Sequence, residues 1–408
     1  MRVRKISQLQ QDFVNIIFKV ANIVNLKNIS YLIEFGTVEI DCFLSGLHKI
    51  NIKGERDGVS VKIGVIVKWH SNPVDRMCFR AAYQREYVFY QYIVPKMLQL
   101  QRNYKVIEGL RLKFPNCLLA SMEHDKETIV VNLLSEYRLL NRFQEIDFIQ
   151  SSLVIKNLAK LHGLSFALEN IYPEEFKIIQ NLCGRDVQYS DELNIPKSLY
   201  HYFKQSVNVV ANADIRRKLE AILPYISTLL SKCSAPVPNY STICHGDCWS
   251  NNILFKYKGK IPFDVLFVDF QLVRYASPVT DLSYYFYMST DEKFLNKNYQ
   301  KLINIYYGTL SGVLRQCNLD IDQIYPRIVF EKHLKEYSIL GLLEALISMK
   351  IITAESDEAL KMTEVKYQPL EETFPYESQN HALFVERVNG AVNYFFDREY
   401  SLDSLLNI

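Results

Sequence analysis

The chain has 408 residues, of which 49% are hydrophobic and 23% are charged. This length suggests two or three domains or one two-lobed unit of an ordinary globular protein. The formal net charge of +2 gives no case for binding nucleic acid or an anionic membrane surface. The sequence holds no run of about 20 apolar residues, the length that a membrane span needs, and the eight cysteines show no regular spacing. We therefore expect a cytoplasmic protein with reduced thiols.

A helix and a sheet are predicted at the start of the chain. Apolar side chains recur at helical spacing from Ile6 to Leu26 and predict one amphipathic helix. Residues Tyr31 to Lys68 are rich in strand-forming types, and Asp57-Gly58 predicts a hairpin turn. Every second residue from Val59 to Val67 is apolar, which predicts a strand ending at Lys68.

A carboxylate interrupts the apolar face of the next predicted helix. This helix spans Phe79 to Ile93, and Glu86 lies among the aromatic and aliphatic residues of its inward stripe. A buried carboxylate is costly unless a cation pairs with it. We expect Lys68, on the preceding strand, to be that cation; Lys62, in the same strand phase, is the alternative.

Further along the chain, strands give way to helices. Leu118 to Leu134 predicts two strands around a polar turn, and Phe143 to Glu169 predicts a helix. His162 in this helix is expected to be a packing residue. Residues 170–239 predict several helices separated by prolines, and later helices are predicted within 285–316, 323–352 and 382–394. Residues 353–380 predict a loop.

Three short strands are predicted around a group of polar residues near the middle of the chain. The second and third strands, Ile253–Phe255 and Val265–Val268, are separated by a Lys-Gly-Lys turn and predict a hairpin. The start of one strand lies beside the end of the other in an antiparallel pair. Asn252 precedes the second strand and Asp269 follows the third, so we expect these two side chains to be neighbours.

Asp247 lies in the loop just before Asn252, at the end of the first strand. Carboxylate and amide oxygens suit Mg²⁺, which completes its coordination with phosphate oxygens and water. Asp247 is then left to orient a hydroxyl group and accept its proton. Positioning, a metal and a base are what phosphoryl transfer requires.

The spacing of these residues resembles the catalytic and metal loops of protein-kinase-like phosphotransferases. Asp247 lies five residues before Asn252, and Asp269-Phe270 follows seventeen residues later. His245-Gly246-Asp247 resembles the choline-kinase and aminoglycoside-phosphotransferase branch. The longer string H-G-D-x-W-x-N-N-I-L-F, followed by V-D-F-Q and S-P-x-x-D-L, resembles most closely the ecdysteroid-kinase-like family of arthropods.

This resemblance implies an α+β, protein-kinase-like fold with two lobes: a small β-rich nucleotide lobe in residues 1–134 and a large helical lobe in residues 135–408. It implies ATP-dependent phosphorylation of an alcohol on a steroid or xenobiotic. Asp247 would be the base and His245 would support its loop. Asn252 and Asp269 would hold Mg²⁺, and Lys68, held by Glu86, would neutralise phosphate charge.

The resemblance also implies positions for the rest of the nucleotide. Adenine would contact backbone groups near Val131 and Leu133, and Asp281 would brace the catalytic loop from beneath. The phosphate-covering loop would contain Gly46, whose backbone could approach a phosphate closely. This loop has a single glycine, so an ordinary turn is the alternative interpretation.

Two other functions stay open. The first is a choline- or ethanolamine-type kinase, which would need acids and aromatic rings around a cationic amine. The second is a pseudokinase that binds nucleotide or steroid, which the poor phosphate loop would suit. The joint presence of a lysine, a base and two metal ligands argues against a protein that only binds.

Overall fold

The computed structural model describes residues 8–34, 47–69, 73–124, 126–140, 143–183, 195–364, 378–398 and 400. In these residues a sheet-rich amino-terminal part precedes a larger, mainly helical part. The predicted α+β class is therefore confirmed. The division near residue 134 stays a prediction, although the strands on either side of it join different sheets.

A five-stranded antiparallel sheet forms the amino-terminal part, with strand order β1-β2-β3-β5-β4. One face of α1 packs against this sheet through Phe13, Ile17 and Val20, because apolar side chains recur along that face. The elements in order are α1 (Gln8–Ile23), β1 (Lys27–Glu34), β2 (Leu47–Arg56), β3 (Val59–Lys68), α2 (Pro73–Val88), a π-helical turn (Phe89–Ile93), α3 (Val94–Asn103), β4 (Cys117–Ser121) and β5 (Thr128–Asn132).

The second part combines helices with two small sheets, of order β6-β8-β9 and β10-β7. Its elements are β6 (Tyr137–Leu139), α4 (Phe148–Ile171), α5 (Pro173–Cys183), α6 (Ile195–Asn208), α7 (Ala213–Ile222), α8 (Ile226–Cys233), β7 (Thr242–Cys244), β8 (Ile253–Lys258), β9 (Ile261–Phe267), β10 (Arg274–Ala276), α9 (Val279–Ser289), α10 (Glu292–Gln316), α11 (Ile321–Ile324), α12 (Arg327–Ile352), α13 (Ser356–Glu364) and α14 (His381–Asp397).

Two predicted boundaries in this part are wrong. Helix α4 begins at Phe148 and not at Phe143, because Asp147 caps it: the Asp147 side chain accepts from the Gln150 amide, and the Gln150 side chain accepts from the Asp147 amide. The predicted loop over residues 353–380 contains helix α13, which begins with two acidic residues in its first turn.

Helices α9 and α12 approach each other closely, and this contact fixes the position of α9 beside the loop that follows β7. A side chain at Gly341 of α12 would place its Cβ 2.3 Å from the carbonyl carbon of Ser283 in α9. The glycine is therefore required by the packing. No helix among the described residues is both long enough and apolar enough to cross a membrane.

Candidate active site

The hairpin of β8 and β9 forms as predicted. Ile253 pairs with Phe267, and the Val268 amide donates a hydrogen bond to the Asn252 carbonyl at 3.0 Å. Asn252 ends a short 3₁₀ turn just before β8, and Asp269 directly follows Val268. The hairpin thus brings the backbone of Asn252 beside the residue that precedes Asp269.

The Asp247 carboxylate is held on both of its oxygens. Asn252 Nδ2 donates to Asp247 Oδ2 at 2.9 Å and to the Asp247 carbonyl at 2.8 Å. On the other side, the Tyr284 hydroxyl donates to Asp247 Oδ1 at 2.6 Å. Burial raises the pKa of Asp247 and the hydrogen bond from Tyr284 partly opposes this, so that the pKa is raised to about 7. Asp247 therefore has a pKa near neutral pH, which suits a general base.

The backbone of this loop is fixed from below by Asp281 in the first turn of α9. Asp281 Oδ2 accepts from the His245 amide at 2.6 Å, and Oδ1 accepts from the Gly246 amide at 2.9 Å. Gly246 has φ +85°, and a Cβ there would lie 1.9 Å from the Leu272 carbonyl oxygen. Only glycine fits this conformation and this approach. The bracing role expected of Asp281 is present in the structure.

His245 supports the loop through both ring nitrogens. Its Nδ1 accepts from the Asp247 amide at 3.2 Å, so the proton lies on Nε2, which donates to the Val268 carbonyl at 3.0 Å. Burial lowers the pKa of His245 and favours this neutral form. With both nitrogens engaged by the backbone, His245 links the loop to the hairpin.

His162, Cys244 and Asp281 approach closely enough to suggest a metal centre, with ligand atoms within 4.8 Å of one another. Hydrogen bonds explain the group instead. His162 Nδ1 accepts from the Tyr306 hydroxyl at 2.8 Å, so its Nε2 donates to Asp281 Oδ2 at 3.1 Å. His162 is fully buried and is the packing residue that the sequence predicts.

Lys68 joins the five-stranded sheet to the segment that follows β9. Its Nζ lies 2.8 Å from Glu86 Oε2, 2.6 Å from Asp269 Oδ1 and 3.1 Å from Gln271 Oε1. The predicted ion pair with Glu86 is present, whereas Lys62, the alternative lysine, is exposed. Burial alone would lower the pKa of Lys68, but the two carboxylates raise it above its ordinary value and keep the ammonium charged.

The π-helical turn after α2 contacts the Asp269 loop through aromatic stacking. The ring of Phe270 stacks on Phe89 at a centroid distance of 3.6 Å and meets Tyr90 edge-on at 6.1 Å. Phe89 begins the π-helical turn that follows α2, one turn after Glu86. π-helical turns are frequent at functional sites. The sequence predicts this stretch as ordinary α-helix, and the π-helical turn over Phe89–Ile93 corrects that prediction.

Asp269 itself adopts the left-handed conformation, with φ +64°. Aspartate tolerates this region better than most residues because its short polar side chain can bond locally. The backbone turn points its carboxylate at Lys68 and brings Gln271 to the same lysine.

A sequence comparison identifies the family. The model of the ecdysteroid kinase-like family matches residues 39–319, which include Lys68, Glu86, Asp247, Asn252 and Asp269. This chain belongs to the ecdysteroid kinase-like family. The match supports a small-molecule kinase and confirms the family that the central motif resembles. A search of curated protein sequences found no match.

Solved structures similar to this family member have low sequence identity to it. An ethanolamine kinase from Plasmodium vivax is 11% identical with a TM-score of 0.41, covering 98% of this chain and 93% of its own. A mutant aminoglycoside 2'-phosphotransferase-IIIa bound to GDP is 10% identical with a TM-score of 0.42, covering 94% and 99%. A glucosamine kinase bound to glucosamine, ADP and phosphate is 12% identical with a TM-score of 0.34, covering 95% and 86%. The assignment to the ecdysteroid kinase-like family rests on the sequence match alone.

The two residues predicted to contact adenine in this ecdysteroid kinase-like chain, Val131 and Leu133, lie at the end of β5, beside β3. Val131 pairs with Ile66 in the sheet. The Leu133 amide donates to the Gly64 carbonyl at 2.8 Å, so this amide is already used and only other backbone groups of the segment could contact adenine. Gly46 lies outside the described residues.

The oxygen ligands at the mouth of the hairpin fit a magnesium ion by their chemistry. Asn252 uses its Nδ2 on Asp247, which leaves its amide oxygen as an acceptor, and Asp269 offers a carboxylate. One or two carboxylates with further oxygen ligands are what Mg²⁺ takes from proteins that also bind phosphates.

Two residues of the ecdysteroid kinase-like site were missed from the sequence. Tyr284 holds Asp247, and Gln271 contacts Lys68. Tyr284 follows Asp281 by three residues on α9, so the two share a helix face, and this spacing was the available signal. Gln271 stands two residues after Asp269, but no spacing rule connects it to a lysine 203 residues earlier.

Proposed function

We propose that this protein transfers the γ-phosphoryl group of ATP to an alcohol on a small molecule. One observation carries the proposal: a lysine on β3 contacts both a glutamate on α2 and the aspartate that follows β9. A partly buried lysine held by a carboxylate, facing a second carboxylate near a hairpin, is the arrangement that positions nucleotide phosphates in kinase-like enzymes.

Each residue has a distinct task in this reaction. Asp247 orients the acceptor hydroxyl and takes its proton while the hydroxyl oxygen attacks the γ-phosphorus and the bond to ADP breaks. Lys68 balances phosphate charge, and Glu86 keeps its ammonium in place. Asp281 and His245 keep the Asp247 loop rigid. Rigid placement of the reacting groups is the main contribution a protein makes to phosphoryl transfer.

Asn252 and Asp269 are the residues that would hold Mg²⁺. The metal supplies charge neutralisation on the phosphates when it is bound. Lys68 and Asp269 form an ion pair at 2.6 Å, and Lys68 can turn to phosphate only when Asp269 has another partner. We therefore expect nucleotide and metal to bind cooperatively.

The proposed acceptor is a steroid or a xenobiotic alcohol. Support comes from membership in the ecdysteroid kinase-like family, whose name refers to a steroid class. Asp247 and Tyr284 define the place of the reacting hydroxyl. The Tyr284 hydroxyl lies 2.6 Å from Asp247 Oδ1, and Asp247 is partly exposed, so an acceptor can reach it.

Calorimetry of Mg²⁺-ATP binding tests the nucleotide half of the proposal. The wild-type protein should bind, and Lys68→Met should weaken binding by about tenfold or more, since a charge-assisted hydrogen bond is lost. Lys62→Met is the matched control on the same strand; Lys62 is exposed, and its loss should leave affinity unchanged. Equal affinity of wild type and Lys68→Met would overturn the assignment of Lys68.

ADP release over a panel of acceptors tests the other half. The panel should contain sterols, glycosides, phenols and choline, so that ADP release with an amino alcohol is compared with ADP release with a steroid. Release that requires a sterol or xenobiotic alcohol supports the proposed acceptor class. Release with choline alone would assign the protein to the choline-type kinases, and nucleotide binding without any release would assign it to the pseudokinases.

A further inference from the structure

Gln271 is a third contact of the Lys68 ammonium, beside Glu86 and Asp269. We infer that Gln271 is a positioning residue that keeps Lys68 directed at the nucleotide phosphates when Asp269 turns from the lysine to a metal ion. This inference rests on the proposed function and assigns a role to a residue that this function does not otherwise use.

The lysine has as many donors as it has partners here. An ammonium group carries three N–H donors and no acceptor, and the acceptors around Lys68 are Glu86 at 2.8 Å, Asp269 at 2.6 Å and Gln271 at 3.1 Å. A phosphate oxygen that enters this shell must replace one of the three. Asp269 is the one to leave, because it alone is also a candidate metal ligand.

Gln271 is well placed to stay when Asp269 leaves. Its side chain is buried, with 7% of the residue exposed. The residue before it, Phe270, is stacked on Phe89 and tilted against the His245 ring at 4.6 Å, so the backbone that carries Gln271 is fixed on two sides. A buried side chain on a fixed backbone holds its partner with little loss of conformational entropy on binding.

Gln271 is uncharged, and this matters for phosphate binding as much as its position does. Two carboxylates already face Lys68, and a third would add negative charge where a triphosphate must bind. An amide oxygen orients the ammonium without this repulsion. Without it, Glu86 alone would hold a flexible four-carbon side chain, and a lysine that moves loses affinity for phosphate.

Gln271→Met tests the inference because methionine has nearly the same shape but offers no comparable acceptor. The dissociation constants of ATP and of adenosine should be measured by calorimetry with Mg²⁺ present. We expect the ATP constant to rise by about tenfold, the effect of one hydrogen bond to a charged group, and the adenosine constant to stay unchanged. Gln101→Met is the matched control: Gln101 is equally buried, but its amide bonds the Leu112 backbone away from the site.

A second variant shows whether Gln271 acts through the lysine. In a Lys68→Met background, Gln271→Met should have no further effect on ATP affinity, because the two changes remove the same interaction. Additive effects would mean that Gln271 contacts the nucleotide itself and would overturn the inference. So would an equal loss of ATP and adenosine affinity, or no loss at all. Failure of the wild-type protein to bind ATP would instead contradict the proposed function, which keeps the two failures separate.

Discussion

Tyr284 donates a hydrogen bond to Asp247 at 2.6 Å, from a hydroxyl buried on helix α9. The contact fixes the carboxylate oxygen that Asn252 does not hold. The side chain proposed as the base is thus clamped between the hairpin and a helix, which limits its rotation before an acceptor arrives.

Tyr284→Phe should lower turnover by about tenfold, because Asp247 loses a hydrogen bond that orients it and that involves a charged group. Affinity for Mg²⁺-ATP should stay unchanged, since Tyr284 does not contact Lys68 or Asp269. Steady-state ADP release with the best acceptor gives the turnover, and calorimetry gives the Mg²⁺-ATP affinity. Tyr285→Phe is the matched control, because the Tyr285 hydroxyl bonds Ser151 instead. Turnover of Tyr284→Phe within about twofold of wild type would show that the clamp has no role in orienting Asp247.

Asp281→Asn should destabilise the whole protein. Three N–H groups point at the Asp281 carboxylate, from His162, His245 and Gly246. The asparagine side chain has an NH₂ donor in place of one carboxylate oxygen, so at least one of these buried N–H groups loses its acceptor. We expect this to lower the free energy of unfolding by about 2–4 kcal/mol. Urea denaturation measures this change.

Asp320→Asn serves as the control for that experiment, because Asp320 is exposed and caps helix α11, where asparagine caps equally well. A loss below about 1 kcal/mol for Asp281→Asn would mean that the loop does not depend on this brace.

His333 should make the stability of the helical part sensitive to acid. Its Nδ1 bonds the Ser277 and Tyr325 hydroxyls at 2.9 and 2.8 Å, and burial, with a smaller effect of Lys332, lowers its pKa to about 4. The unfolded chain has the ordinary value of about 6.5. As pH falls, the unfolded state therefore binds a proton before the folded state does. The stability that His333 contributes above its ordinary pKa is lost as pH falls toward 4.

We expect His333 to account for a loss of about 2 kcal/mol between about pH 7.5 and about pH 5. Urea denaturation of the wild type and of His333→Gln at both pH values isolates this contribution, since the other titrating groups are shared. The wild type should lose more stability than the variant over this range. Parallel pH dependence of the two proteins would contradict the lowered pKa of His333.

Much of the site followed from local patterns. The hairpin was predictable because a Lys-Gly-Lys turn separates two short apolar runs, and pairing then places Asn252 beside Val268, the residue before Asp269. The ion pair of Lys68 and Glu86 was predictable because a carboxylate in an apolar stripe requires a cation. The first inference uses residues that are neighbours along the chain. The second uses the free-energy cost of burying an unpaired carboxylate.

The remaining contacts depend on packing between distant segments. Lys68 meets Asp269 across 201 residues, and β6 pairs with β8 although these strands are also far apart in sequence. The π-helical turn that follows α2 contains Phe89, which stacks on Phe270, and no local pattern distinguishes this turn from α-helix. Helix α13 was missed because its charged sequence also suits a loop.

Transfer of a labelled γ-phosphoryl group from ATP to an alcohol, followed by mass spectrometry of the phosphate ester, tests the central claim most directly. The wild type and Asp320→Asn should form the ester. Asp247→Asn should form it slower by a factor on the order of a hundred or more, while its affinity for Mg²⁺-ATP stays close to that of the wild type. Ester formation at the wild-type rate by Asp247→Asn would contradict the account.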